Sequence, residues 1–228
     1  MTRFVFLDLD DTILDFHRTE RAALTKALLE CGIPPTEAVL SRYHQIDRQH
    51  WQRLERGELT HTQVQEGRFR MLLTELGAAL DPAEVNRRFR ENLCGEQYFL
   101  PQAREAVERL RQNHRLFLAS NGTAAVQHAR LTGAGLYPYF EQVFISEEIG
   151  FNKPSREFFD ACFARIPGFD KSSAIMVGDS LTSDILGGKS AGITTVWVKP
   201  EHRLPHPEIV PDYEIESLAQ LEALLETL

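Results

Sequence analysis

Long apolar runs, surplus positive charge and paired cysteines are all missing from this chain of 228 residues. Each absence removes a class of protein. No apolar stretch is long enough to span a bilayer, and Asp8 interrupts the only run near the start that resembles a secretory leader's apolar core. A net charge of −8 sets the chain against general binding to nucleic-acid polymers or membrane surfaces. If its ligand is an anion, the positive field must be local: a metal, one or two cationic side chains, helix N-termini. The three cysteines, Cys31, Cys94 and Cys162, are far apart and odd in number, which argues against a disulfide framework or a zinc site. They read as small buried hydrophobes in a reducing cytosol. The eight histidines show no metal-ligand spacing, and His202 and His206 read as solvated. Internal repeats and low-complexity tracts are absent. What remains is a cytoplasmic globular protein, 43% hydrophobic and 25% charged, long enough for one α/β domain or one carrying an insertion.

What is present is a set of apolar runs that each stop at small or polar residues. Residues 3–8 read as a fully buried strand that ends in the acids Asp8, Asp10 and Asp11. Residues 116–119 stop at Ser120-Asn121-Gly122, 143–145 at Ser146, and 174–177 at Gly178-Asp179-Ser180. Residues 194–198 stop before Pro200, and 213–215 read as a short last strand. Helical spacing lies between them, as at Phe158, Phe159, Cys162, Phe163 and Ile166. Alternating strand and helix predicts an α/β fold with a Rossmann-like parallel sheet, whose ligand site lies at the carboxyl ends of the strands.

One segment breaks the alternation. Residues 15–97 hold no convincing strand and read as four helices, about 16–31, 35–56, 60–77 and 81–94. Thr60 reads as an N-cap, and Asp81-Pro82 as an N-cap and first-turn pair. The organisation expected is a core of 1–14 and 98–228 with an inserted all-α helical cap domain, 15–97, over the crevice. The loop at 200–212 is the most irregular part.

The polar stops share one chemistry. Asp8 and Asp10 point to the same side of an extended segment. Asp179 ends another strand, and Asp184 opens a helix whose dipole favours a carboxylate. Converging acidic oxygens without thiolate or imidazole suit a hard cation, Mg²⁺ first. Lys153 adds a second cation, and Ser120 with the Asn121-Gly122 backbone adds donors. Thr123 reads as a cap of the helix that follows. Together these groups suit a bound phosphate. Asp8 is then the natural nucleophile and Asp10 the acid and base, with Thr12 placed to hold Asp10.

At these spacings the sequence resembles the haloacid-dehalogenase-like hydrolase superfamily. The D-x-D-x-T segment stands as Asp8-Leu9-Asp10-Asp11-Thr12, the strand-end Ser as Ser120, the lysine as Lys153, and G-D-x-x-x-x-D as Gly178-Asp179 through Asp184. The resemblance implies Asp8 as nucleophile and metal ligand, Asp10 as acid/base with its carbonyl on the metal, Asp179 and Asp184 as metal residues, and Ser120, Asn121 and Lys153 at the phosphate. Asp15-Phe16, Trp51 through Gly57 to Arg68-Phe69, Glu148 through Pro154, and Gly178 through Ile185 look like the YjjG/YfnB-type pyrimidine 5′-nucleotidases. That narrower resemblance implies a Mg²⁺-dependent phosphatase of UMP, dUMP and dTMP, a monomer or homodimer that acts on a small phosphate ester and not on nucleic acid or membrane.

Phe16 and His17, where the chain enters the cap, are candidates to touch the substrate. Trp51 shares a helical face with Leu40, Tyr43 and Leu54, so it reads as a core residue, with a wall for a base as the alternative. Arg68 reads as a solvated arginine or a nucleotide contact. A sugar-phosphate or acylsugar-phosphate phosphatase, or a phosphosugar mutase, would use the same motifs. A carbon–halogen hydrolase is disfavoured by Asp10, since halide leaves without a proton. A phosphonate hydrolase needs a cap lysine, and Lys26 is the only one. A phospho-accepting signalling module would be shorter, would lack the helical insertion and would carry its aspartate mid-chain.

Overall fold

Four consecutive buried residues, Phe4–Leu7, form the central strand β1 of a computed structural model that describes residues 3–95, 97–199 and 205–228. An unbroken apolar run fits a parallel strand covered on both faces. The other strands are β2 (Arg115–Ser120), β3 (Gln142–Ile145), β4 (Ala174–Gly178), β5 (Thr194–Val198) and β6 (Tyr213–Ile215). All pair in parallel in the order β3-β2-β1-β4-β5-β6, with Leu7 beside both Leu118 and Val177. The order reverses beside β1, which opens a crevice at its carboxyl end.

The alternation of side chains sorts the two cores. Val5 and Leu7 face one way, with Leu116, Leu118, Ile175 and Val177, onto α5 (Ala103–Asn113) and α10 (Leu221–Thr227). Phe4 and Phe6 face the other way, onto α8 (Arg156–Phe163). Phe6, Phe117 and Phe144 stack across β1, β2 and β3 with ring centroids 5.2 to 6.3 Å apart. Each such burial stabilises by roughly 1.5–3 kcal/mol. Three further helices flank the strands: α6 (Ala124–Gly133), α7 (Ser146–Ile149) and α9 (Leu186–Ala191).

The insertion is four helices around their own apolar cluster: α1 (Phe16–Glu30), α2 (Glu37–Glu55), α3 (His61–Leu76) and α4 (Pro82–Leu93). Thr60 and Gln63 form a capping box at α3, Asp81 caps α4 before Pro82, and Gly77 closes α3 in the left-handed region. The two connections to the sheet run side by side: Asp15 N–H donates to Tyr98 at 2.9 Å, and Leu100 N–H to Ile13 at 3.0 Å. Asp11, with φ 55, caps α1 from a distance by accepting from Phe16 at 3.0 Å and His17 at 3.3 Å.

Several local expectations need correction. Cys31 and Cys94 are half-buried, and only Cys162 is fully buried. Thr123 makes no side-chain cap on α6; it accepts from Gln65 of α3 at 3.1 Å instead. Arg68 is not solvated but buried, its charge paired with Asp47 at 2.7 Å and bonded to Asn86 at 3.1 Å, while its Nε is buried without a hydrogen-bond partner. Trp51 is half-buried, off the apolar cluster that takes Leu40 and Tyr43. Residue Pro200 and His202 lie outside the described residues; His206 is exposed. No helix among the described residues is long and apolar enough to cross a membrane.

Candidate active site

The acids that follow β1 have three different environments. Asp8 donates its N–H to Val177 at 3.0 Å, so its carboxylate leaves the sheet between β2 and β4. Lys153 meets it there. The ammonium is 1% exposed and donates to Asp8 and Asp184 at 2.7 Å each and to the Ala119 carbonyl at 2.6 Å. Asn121 fixes the lysine's backbone from both sides: its amide donates to the Lys153 carbonyl and its oxygen accepts from the Lys153 N–H, each at 2.8 Å. Asp8 and Lys153 stand 145 positions apart in the chain, and the sheet's strand order brings them together.

Asp184 sits in a single π-helical turn, Leu181–Ile185, and accepts from the Ser180 N–H at 3.0 Å. Gly178 is required here: a Cβ at that position would collide with the Asp184 carboxylate. Asp179 is anchored through its carbonyl by the buried Trp197 indole at 2.8 Å. Asp8, Asp179 and Asp184 each offer an oxygen within 4.8 Å of the others, and all three are buried. Such a set of hard oxygens fits Mg²⁺. Its electrostatics point the same way. Burial pushes Asp8 up to about 8, outweighing Lys153, with Asp184 and Asp10 adding to the rise. Burial opposes the charge on Lys153, yet Asp184 and Asp8 hold the ammonium above its usual range. The site carries more carboxylate than one ammonium neutralises.

Asp10 turns the other way. Arg130, buried on α6, donates to one of its oxygens at 2.5 Å, and Gln127 donates to the other at 2.8 Å. Gln127 also reaches Ser120 Oγ at 2.8 Å, while Gly122 N–H donates to the same oxygen at 3.1 Å, leaving the hydroxyl hydrogen free to be given. Thr12 does not hold Asp10: its hydroxyl is buried without a hydrogen-bond partner. Gln127 and Arg130 were not picked out from the sequence, although a glutamine and an arginine three apart, on a helix that follows the Ser120 turn, face one way.

A cavity of about 230 Å³ joins these groups to the helical insertion. Its floor is Asp8, Asp10, Ser120, Asn121, Lys153, Asp179 and Asp184; its roof includes Phe16, Trp51, Arg68, Arg90 and Leu93 of the insertion, and Val126 of α6 also lines it. Phe16, Trp51 and Arg68 therefore share the cavity with the acids, whereas His17 lines a neighbouring one. The insertion touches the sheet domain around this cavity. His61 contacts Asn152 at 2.9 Å, Thr182 donates to Glu55 at 2.8 Å, and Gln65 donates to Thr123 at 3.1 Å.

The sequence pattern of the haloacid dehalogenase-like hydrolase family matches residues 2–192. The chain is 36% identical to the pyrimidine 5′-nucleotidase PynA of Streptococcus pneumoniae, over 96% of this chain and 93% of that one. It is 32% identical to the pyrimidine 5′-nucleotidase YjjG of Escherichia coli, over 97% of each. The crystal structure of the Bacillus subtilis HAD-hydrolase YfnB bound to magnesium, in which interdomain movement is described, superposes with a TM-score of 0.93 at 37% identity over 98% of both chains.

Proposed function

Since the chain belongs to the haloacid dehalogenase-like hydrolase family, we propose that it is a Mg²⁺-dependent phosphatase of nucleoside 5′-monophosphates, pyrimidine ones foremost, with residues 1–14 and 98–228 as catalytic core and 15–97 as cap. The observation that carries this reading is the placement of Asp8, Lys153, Asp179 and Asp184 on the floor of a cavity roofed by Phe16 and Trp51. Charged groups for a phosphate lie at one end, and aromatic faces for a planar base at the other.

Asp8 is the nucleophile. Its carboxylate oxygen attacks phosphorus, the P–O bond to the nucleoside breaks, and Asp10 gives a proton to the departing alkoxide. Asp10 then takes a proton from the water that cleaves the aspartyl-phosphate. Lys153 and the Ser120 hydroxyl hold phosphate oxygens, and Asn121 holds Lys153 in place. Asp8, Asp179 and Asp184, with the Asp10 carbonyl that the family resemblance adds, would hold Mg²⁺, and the ion would supply positive charge that offsets the repulsion between two anions. Arg130 and Gln127 occupy both oxygens of Asp10, so Asp10 must exchange at least one of these partners to reach a leaving group. That exchange accompanies substrate entry under the cap.

The similarity to PynA and YjjG supports the pyrimidine assignment. A phosphate-release screen with Mg²⁺ against nucleotides and sugar phosphates tests it. UMP, dUMP and dTMP are expected to lead in kcat/KM. Sugar phosphates ahead by roughly tenfold, about 1.4 kcal/mol of transition-state preference, would replace the nucleotide with a sugar or acylsugar ester and leave the phosphatase chemistry in place.

A further inference from the structure

A second cluster of ligand-type side chains lies outside the carboxylate site, where α1 leaves the hinge. His17 and Glu20 stand three residues apart at the start of α1, and His44 comes from the middle of α2. Each offers one nitrogen or carboxylate oxygen, and these atoms all lie within 4.8 Å of one another. His44 Nδ1 is 2.9 Å from Glu20 Oε2. The His17 and His44 rings meet edge to face with centroids 4.9 Å apart.

Glu20 gives this cluster its direction. It is only 5% exposed, and its other oxygen, Oε1, is buried without a hydrogen-bond partner. A charged acceptor withdrawn from water in this way is costly unless a cation or proton answers it. Burial, with Asp47 alongside, pushes Glu20 up to about 7 despite His44. Asp47 is itself engaged by Arg68 at 2.7 Å. Arg48 is the one arginine, and no lysine is, among the described residues lining this cavity, and no hydrogen bond or ion pair joins Arg48 to Glu20, whose cationic neighbour is His44.

We propose that His17, Glu20 and His44 form a transition-metal site that takes Zn²⁺ or a similar imidazole-preferring divalent ion at the mouth of the cleft. Two imidazoles and one carboxylate are the ligand types such ions select, and magnesium does not. Three protein ligands leave a further position open to the cavity of about 430 Å³ that they share with Trp51, Asp179 and Ser180. The site joins α1 to α2 beside Asp11, whose carboxylate lies 3.4 Å from His17 and caps α1. An ion there fixes the first turn of the cap relative to the hinge.

Co²⁺ is the probe, added to the full-length protein in excess Mg²⁺ so that the carboxylate site is filled by the harder ion. The wild type is expected to take up one equivalent of Co²⁺ with the strong visible bands of a low-coordinate, nitrogen-ligated ion. His44→Ala and His17→Ala, both at partly exposed rings, are expected to lose those bands and weaken binding by roughly tenfold or more, while circular dichroism shows the fold retained. Glu20→Gln keeps the side chain's size and is expected to weaken Co²⁺ in the same way. Absence of Co²⁺ uptake in excess Mg²⁺, or uptake unchanged in both histidine variants, overturns the site.

Discussion

Replacing Lys153 by methionine keeps the buried stem and removes only the ammonium. In the native chain that ammonium is bonded to Asp8, Asp184 and the Ala119 carbonyl at 2.6 to 2.7 Å. Removing one partner from a buried charge cluster costs about 3–5 kcal/mol. Here the cost falls at the lower end, about 3 kcal/mol, because Asp8 escapes by taking a proton. Burial holds the Asp8 carboxyl up at about 8 even with the lysine present, so at pH 7 a proton already competes with the ammonium there, and without the lysine that proton is held more firmly. Asp184 keeps the Ser180 N–H as a partner. With a urea slope of about 3 kcal/mol per molar, the midpoint in EDTA should fall by roughly 1 M. Saturating Mg²⁺ should then narrow the gap, since the variant offers the same carboxylates without a competing ammonium; both proteins gain by linkage, and the gap closes by about 1.4 kcal/mol for each tenfold by which the variant binds Mg²⁺ more tightly. Turnover should not return with stability, and should stay down by about 10²–10³ in kcat, because a fixed charge on the phosphate is lost. An unchanged urea midpoint in EDTA, with an unchanged response to Mg²⁺, would refute the idea that Lys153 neutralises this cluster.

Three other perturbations bear on the same groups. Arg130→Met leaves Gln127 as the one α6 partner of Asp10; without the guanidinium that fixes its orientation before the exchange, the carboxylate is misplaced, and kcat should fall by about 10²–10³ with KM little changed. Gly178→Ala drives its new methyl into the Asp184 carboxylate, so Mg²⁺ affinity measured by calorimetry should fall by roughly tenfold or more, whereas Gly77→Ala, far from the site in α3's cap, should cost only about 1 kcal/mol of stability. Cys162 is fully buried and burial pushes its thiol up to about 12, so a thiol reagent should label it only after denaturation, while Cys31 and Cys94 react in the folded protein.

The sheet was legible because burial on both faces forces near-continuous apolar runs, and each run ended where the chain had to turn toward the crevice. The four insertion helices were legible for a different reason: Thr60, Asp81, Pro82 and Gly77 punctuate them locally. The acids and Lys153 could be read from fixed spacings near strand ends, positions that the strand order then gathers. Residues that act through long-range contacts left little trace. Trp197 reads as one more apolar strand residue until its indole is seen holding Asp179. Arg68 looks like any helical arginine, because its partners Asp47 and Asn86 lie on α2 and α4. Proximity in sequence pairs Thr12 with Asp10 and Thr123 with its own helix, yet Asp10 is held from α6 and Thr123 accepts from α3. His17 and His44 show no ligand spacing along the chain for the same reason: two helices must pack before they meet.

The most direct measurement is a single turnover on dUMP or UMP with Mg²⁺, quenched in acid within the first turnover and digested for mass spectrometry. The peptide carrying Asp8 should gain the mass of one phosphoryl group, on Asp8 itself, and the label should be absent from a folded Asp8→Asn variant that no longer turns over. A phosphoryl group found on another side chain, or full turnover by Asp8→Asn, would contradict nucleophilic attack from the tip of β1.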